Sequence, residues 1–143
     1  MRNVIKSSIV YFVLLLGVQT LNAETKRALL VGISDYGNTI EDPNKWANIS
    51  GANDIELLKP LFKEQGFEVT SLVDRQATHA GITKAFEKLI KKCKKGDIVY
   101  VHFSMHGQPF EDLNGDEEDG WDEALIPVDA QMKYSKGVYE GEN

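Results

Sequence analysis

The sequence predicts an α/β fold built on a parallel sheet, and three observations support that prediction. Apolar and amphipathic segments alternate in the order strand–helix–strand–helix–strand, which favours parallel strands joined by right-handed crossovers. Residues 97–104 are mostly β-branched or aromatic without polar alternation, as expected for a strand buried on both faces. Residues 78–95 place apolar side chains at the spacing of one helical face.

Residues 1–23 have the pattern of a signal peptide. Arg2 and Lys6 precede an uncharged apolar segment at 9–18, and Ala23 offers a small residue at a cleavage point. An apolar segment this short falls below the ~20 residues that a membrane-spanning helix needs. We therefore expect a secreted or periplasmic protein that starts at Glu24 and has no stable membrane span after cleavage. An uncleaved N-terminal anchor is the alternative.

We assign the domain to residues 24–143. Its first half begins with a short strand at 27–34. Gly, Asn, Asp and Pro then indicate a loop at 35–50. A helix is predicted at 53–65, capped by Asn53 or Asp54 and kinked at Pro60. The second strand follows at 67–73.

The second half begins with the clearest helix, at 78–95. Thr78 caps its start, and lysines in its last turns favour the negative end of the helix dipole. The third strand, at 97–104, is followed by a long acidic loop at 111–123 and a short strand at 124–128. Loops of this length inside compact domains are commonly functional.

His106 is the most informative single residue. It follows the third strand directly, and open α/β sheets place their ligands at the carboxyl ends of strands. Imidazole titrates near neutral pH and can transfer protons. Gly107 is expected to let the backbone turn sharply and to approach a substrate closely. A buried structural histidine is the alternative interpretation.

The sequence around His106 and three other segments resemble a known family, the caspase-like cysteine peptidases, and are most similar to its metacaspase-type and bacterial members. Four segments carry the resemblance in the family's order: 27–34 (RALLVGIS), 51–54 (GAND), 103–107 (FSMHG) and 119–129 (DGWDEALIPVD). The resemblance implies a caspase-like three-layer α/β/α sandwich with a mostly parallel sheet. It also implies a Cys–His dyad that cleaves peptide or protein substrates.

The resemblance assigns roles to four residues of this sequence. His106 matches the catalytic histidine, and Gly107 matches the position whose backbone amide helps bind the oxyanion. Asp54 matches an acid at the base of the substrate pocket in members that select Arg or Lys. Asp122 matches a position that helps bind activating calcium in some members. The resemblance implies no required cofactor and leaves activation by calcium open.

Two features depart from the family's pattern. Met105 stands where a glycine usually precedes the histidine. The nucleophilic cysteine is expected roughly 50 residues after the histidine, which these 143 residues do not reach. We therefore expect the chain to be the N-terminal part of a catalytic domain, incomplete here and inactive alone.

Each assignment has an alternative. Cys93, the single cysteine, lies on a helix's apolar face, where free cysteines are usually buried and unreactive. Asp54 could simply cap its helix. Asp112, Asn114, Asp116 and Glu123 fall at positions 1, 3, 5 and 12 of an EF-hand loop, but Glu117 occupies the glycine position.

Charge and motifs also bear on function classes other than peptidase. With 22 acidic against 16 basic residues, the chain has a net charge of −6, which argues against nucleic-acid binding. An inactive caspase-like protein that serves as a calcium-responsive binding module is the main alternative. A receiver or flavodoxin-like domain is weaker, because the sequence lacks the acid cluster or phosphate loop that such chemistry needs.

Overall fold

The computed structural model describes residues 24–37, 45–112 and 114–130, together with the backbone of 134–135 and 138–139. The predicted signal peptide lies outside the described residues. Within them, no helix combines the length and the apolar character needed to cross a membrane.

A three-stranded parallel sheet forms the centre of the fold. Strand β1 (Lys26–Gly32) lies between β2 (Phe67–Val73) and β3 (Ile98–Ser104), so the strand order is β2-β1-β3. All three strands run in the same direction, with Lys26 opposite both Phe67 and Ile98. Their carboxyl ends therefore meet at one edge, which confirms the predicted parallel sheet.

One helix covers each face of this sheet. Alternate residues of β1 point to opposite faces, because the side-chain period of a strand is two. Ala28 and Leu30 pack with Ile55 of helix α1 (Gly51–Glu64). Leu29 and Val31 lie in the core cluster that includes Ala85 of helix α2 (His79–Lys92). The predicted three-layer α/β/α arrangement is thus confirmed.

The helix boundaries differ from the sequence predictions by more than one residue at two ends. Helix α1 begins at Gly51 rather than 53, so Asn53 and Asp54 lie inside its first turn, and Ser50 occupies the N-cap position without a side-chain capping hydrogen bond. It continues through Pro60 as a single element. Helix α2 ends at Lys92 instead of 95, and the Thr78 hydroxyl caps it by accepting a hydrogen bond from Gly81 N at 3.0 Å.

The segment after His106 is a β-hairpin that the sequence prediction missed. Strands β4 (Gly107–Glu111) and β5 (Trp121–Leu125) pair antiparallel, with Gly107 opposite Leu125. The predicted acidic loop is therefore shorter at both ends, and the predicted strand at 124–128 begins at Trp121. Two further short strands, β6 (Tyr134–Ser135) and β7 (Val138–Tyr139), form a separate pair.

Strand β3 is less buried than predicted. Ile98, Val99 and Tyr100 each retain 40% or more of their exposure, whereas the β1 residues from Ala28 to Val31 are almost fully buried. The physical reason is position: β1 has a hydrogen-bonded strand on both sides, while β3 is the last strand of the described sheet. Apolar composition alone does not distinguish a central strand from an edge strand.

Candidate functional site

The sheet topology places His106 and Gly107 at the carboxyl edge of the sheet. His106 follows β3 after Met105, and Gly107 begins β4. Met105, the departure from the family's glycine, packs partly buried against the core on the α2 face. The substituted side chain therefore points into apolar surroundings and leaves the histidine at the edge.

The His106 imidazole is held between two aromatic rings and a backbone carbonyl. Its ring centroid lies 5.0 Å from that of Tyr36 and 5.4 Å from that of Trp46. The Nε2 atom lies 2.8 Å from the carbonyl oxygen of Ala47. A carbonyl can only accept a hydrogen bond, so Nε2 carries the proton. In the neutral ring the lone pair is then on Nδ1, which is the atom available to act as a base.

The Gly107 amide is left available by the hairpin that follows. The Ile126 amide donates to the His106 carbonyl oxygen at 2.9 Å, while Gly107 stands opposite Leu125. In an antiparallel ladder this pattern makes Gly107–Leu125 a non-hydrogen-bonded pair, so the Gly107 N–H points away from β5. An amide in this position can donate to an oxyanion next to the imidazole.

The prediction that Gly107 is needed for a sharp turn is wrong. Gly107 is not among the positive-φ residues of the described chain. A Cβ added there would meet only the Ala124 carbonyl oxygen at 3.5 Å, an ordinary contact. The fold would therefore accept a side chain at this position.

Asp54 is brought to the same edge by a close backbone contact. The Ser104 hydroxyl donates a hydrogen bond to Asp54 Oδ2, two residues before His106. Helix α1 can approach β3 this closely because Gly51 has no side chain. A Cβ at Gly51 would overlap the carbonyl oxygens of Ser104 and Ile33. The exposed Asp54 carboxylate thus lies beside the end of β3, the strand that precedes His106. Its position in the first turn of α1 also allows it to stabilise the helix.

Contacts that sequence reasoning missed come from Tyr36, Trp46 and Ala47, which lie between β1 and α1. Tyr36 is 2% exposed, and its hydroxyl accepts from the His106 amide and donates to the Ile126 carbonyl oxygen, both at 3.0 Å. Burial raises the pKa of the Tyr36 phenol, an effect that the hydrogen bond from His106 partly offsets, so the phenol stays protonated at neutral pH. The available signal was the presence of two large aromatics, Tyr36 and Trp46, in a segment otherwise rich in turn residues.

Asp122 lies in a separate acidic cluster on the hairpin. Its carboxylate and those of Asp112 and Asp116 have oxygens within 4.8 Å of one another. Asp122 pairs with Phe110, three residues from Gly107, so the cluster lies about 10 Å further along the hairpin. The structure therefore brings Asp54 to the histidine strand but keeps Asp122 apart from it.

The electrostatics of this cluster suit a hard cation. Backbone amides of Glu117 and Gly115 hold the pKa of Asp112 below its usual value. Burial, followed by the charge of Asp112, raises the pKa of Asp122. The mutual repulsion of these converging carboxylates would be relieved by a cation, and carboxylate oxygens are the donors that Ca²⁺ prefers. The donor set therefore fits the calcium that the resemblance implied.

Cys93 is too far from His106 to form a dyad with it. Cys93 follows α2 and precedes β3, whereas His106 follows the other end of that strand. Seven strand residues separate the two ends by about 20 Å. The thiol donates to the Leu89 carbonyl oxygen at 3.1 Å, within its own helix. This geometry supports the interpretation of Cys93 as a packed, non-nucleophilic thiol.

Comparison with known proteins finds similarity to metacaspases both in a family model and in individual proteins. The family described as "Metacaspase, peptidase C14 domain" matches residues 26–138. Metacaspase-2 of Arabidopsis thaliana is 38% identical over 110 residues, which cover 73% of this chain and 26% of that protein. Metacaspase III c of Phaeodactylum tricornutum is 33% identical, over 73% of this chain and 32% of that protein. The chain thus spans about a quarter to a third of the length of these relatives.

A solved structure agrees with the fold. The crystal structure of a protein from Geobacter sulfurreducens superposes with a TM-score of 0.58 at 32% identity, over 75% of this chain and 40% of that one. The family match extends from the start of β1 to β7 and includes His106, Gly107, Asp54 and Asp122. The chain belongs to the metacaspase family, the peptidase C14 domain.

Proposed function

We propose that this chain is the histidine-bearing part of a cysteine endopeptidase that cleaves after Arg or Lys. The observation that carries the proposal is the His106 environment. Its Nε2 donates to the Ala47 carbonyl oxygen, which leaves the lone pair of the neutral ring on Nδ1, and the Gly107 amide beside it is directed away from the ladder. This is the pairing of a base with an oxyanion donor that acyl transfer needs.

The mechanism uses a cysteine supplied by chain outside residues 1–143. His106 Nδ1 takes the thiol proton, and the thiolate attacks the scissile carbonyl carbon to form a tetrahedral intermediate. The Gly107 N–H donates to its oxyanion, a contact that contributes about 3–4 kcal/mol in comparable sites. The imidazolium then protonates the leaving amine. Water, activated by the same imidazole, hydrolyses the thioester and releases the acid product.

Asp54 would provide the selectivity for basic side chains. Its carboxylate is exposed at the same sheet edge, and Ser104 accounts for only one of its acceptor positions. A guanidinium or ammonium group at the residue before the scissile bond could pair with the remaining lone pairs. A charge-assisted contact of this kind would favour Arg or Lys over neutral residues by about 10- to 100-fold.

The test uses the protein expressed from its complete reading frame and fluorogenic peptides ending in Arg, Lys or Asp. We expect cleavage after Arg and Lys, and its loss in His106→Gln. His79→Gln, an exposed histidine at the start of α2, is the matched control and should retain activity. Undiminished cleavage by a folded His106→Gln protein would refute the proposed role.

Asp54→Asn separates recognition from catalysis. An amide oxygen can still accept the Ser104 hydrogen bond, so the fold is kept while the charge is lost. We expect the Arg and Lys preference to fall by about 10- to 100-fold. Glu56→Gln, an exposed carboxylate on the same helix, is the control. Unchanged preference in Asp54→Asn would mean that Asp54 only stabilises the helix.

Calcium binding at the hairpin is a second proposed property, supported by the carboxylate cluster of Asp112, Asp116 and Asp122. When bound, calcium would neutralise the repulsion among these acids and order the loop between β4 and β5. Titration calorimetry at millimolar Ca²⁺ should give binding heat that Asp122→Asn removes and Glu118→Gln keeps. Calcium binding without any peptidase activity would favour the alternative, an inactive calcium-responsive binding module.

We also propose that the protein is exported. The support is the sequence of residues 1–23, a basic start followed by a short apolar segment. N-terminal sequencing of the product from its native host should begin at Glu24. A product that starts at Met1 would mean that the segment is retained as an anchor or is not a targeting sequence.

A further inference from the structure

We propose that Tyr36 is a positioning residue that sets the relative placement of the His106 imidazole and the Gly107 amide. The inference rests on the proposed peptidase function and extends it to a residue outside the four with assigned roles. Its basis is that one hydroxyl bonds to the backbone on both sides of the hairpin that carries the site.

The Tyr36 hydroxyl joins the first residue of the site to the end of β5. It accepts from the His106 amide and donates to the Ile126 carbonyl oxygen, each at 3.0 Å. The Ile126 amide in turn donates to the His106 carbonyl oxygen at 2.9 Å. Three hydrogen bonds therefore close a small ring through Tyr36, His106 and Ile126, and the Gly107 peptide begins at the same His106 carbonyl.

The Tyr36 ring also limits the rotation of the imidazole. It packs 5.0 Å from the His106 ring at an interplanar angle of 48°, and Trp46 packs nearby at 5.4 Å. The hydroxyl thus fixes the His106 backbone, while the aromatic ring and the Ala47 carbonyl fix the orientation of the side chain. The two effects can be separated, because phenylalanine keeps the ring and loses the hydroxyl.

Residues 34–36, which carry Tyr36, are anchored by hydrogen bonds to their backbone amides. One oxygen of Asp74 accepts from the Ser34 and Asp35 amides at 2.7 and 3.0 Å, and Asn48 Oδ1 accepts from the Tyr36 amide at 2.8 Å. Asp74 adopts a left-handed backbone conformation, with φ at 46°. Such a conformation costs energy for a non-glycine residue and is concentrated at functional sites. Because its backbone is anchored in this way, Tyr36 can fix the position of the hairpin to which its hydroxyl bonds.

The experiment compares Tyr36→Phe with Tyr100→Phe in the protein from its complete reading frame. Tyr100 is a partly exposed tyrosine on β3, and its ring packs with Phe62 and His102 away from the site. Steady-state cleavage of an Arg peptide and peptide-resolved hydrogen exchange are measured on both variants. The exchange readout depends on the Tyr36 contact alone and needs no activity.

We expect Tyr36→Phe to lower kcat by about tenfold, as small misplacements of reacting groups do, with KM within about twofold. Amide exchange should rise about tenfold in the segments around residues 104–108 and 124–127, and remain unchanged in β1. Tyr100→Phe should match the unsubstituted protein in both measurements.

Three results would overturn the inference. Equal kcat in Tyr36→Phe and Tyr100→Phe would show that the hydroxyl positions nothing used in the reaction. A rise in exchange spread evenly over β1 and β3 would show a merely structural role. Full activity in His106→Gln would refute the proposed function itself. That failure can be told apart from failure of the Tyr36 inference, because the local change in exchange in Tyr36→Phe would persist.

Discussion

Replacing Gly51 with alanine tests the contact that joins the two halves of the candidate site. Gly51 is the first residue of α1, and its backbone lies directly against the end of β3. A Cβ there would overlap the carbonyl oxygens of Ser104 and Ile33. Neither oxygen belongs to a side chain that could rotate away. The helix or the strand must shift, and Asp54 would move with the helix.

The magnitude follows from three contributions. Overpacking at a rigid position costs about 1–3 kcal/mol. A shift of β3 would also weaken the hydrogen bond from the Ile33 amide to the Ser104 carbonyl oxygen, now 3.0 Å, at about 1 kcal/mol. Alanine is the better helix former and offsets up to about 1 kcal/mol. We therefore expect Gly51→Ala to lower the free energy of unfolding by about 2 kcal/mol.

Urea unfolding followed by circular dichroism measures this loss. With a denaturant slope near 2 kcal/mol per molar, the midpoint should fall by about 1 M. Gly107→Ala is the matched control, because a Cβ there meets only one atom at an ordinary distance. An unchanged midpoint in Gly51→Ala would refute the argument that this close approach limits the packing of α1 against β3.

Three further predictions concern catalysis and charge. Gly107→Ala should keep the free energy of unfolding within about 1 kcal/mol of the unsubstituted value yet lose most peptidase activity in the protein from its complete reading frame; full activity would mean that nothing approaches this amide closely. The raised pKa of Asp122 means that the unfolded chain releases this proton at lower pH than the folded chain does. The contribution of Asp122 to stability without calcium should therefore fall as pH rises above about 3.8. Asp122→Asn should remove that contribution, whereas Glu118→Gln should keep it, in urea melts with chelator. Cys93→Ser should leave kcat unchanged, because the thiol bonds to its own helix at the far end of β3; loss of all activity in a folded variant would reinstate Cys93 as a nucleophile.

Local sequence patterns predicted most of the central fold. Strands β1 and β2 and helix α2 were predictable because the signal for each lies within its own residues. That signal is the apolar density of the strands and the spacing of apolar residues in the helix. The hairpin was missed because Gly107 and Pro109 are poor strand residues and the acidic composition suggested a loop. Its pairing depends on a partner strand ten residues away across a turn, a non-local contact that composition does not encode.

The site was predicted only where a residue's chemistry and its place on a strand coincided. His106 is recognisable because a histidine stands at the end of an apolar segment with strand composition. Tyr36, Trp46 and the Ala47 carbonyl were not, because their roles arise when the loop after β1 folds over the end of β3. A backbone carbonyl has no sequence signature at all. The proposed protonation of Nε2 therefore depended entirely on the structure.

The sequence by itself determined the α/β class, the order of the elements around the parallel sheet and the histidine at its carboxyl edge. These follow from hydrophobic period and local chemistry, which adjacent residues specify. The tertiary structure alone decided that Gly51 allows Asp54 to reach Ser104, that the Gly107 amide is outside the ladder, and that Asp122 lies about 10 Å from the histidine site. Such distances are set by how separate elements pack, and packing depends on contacts between residues far apart in the chain.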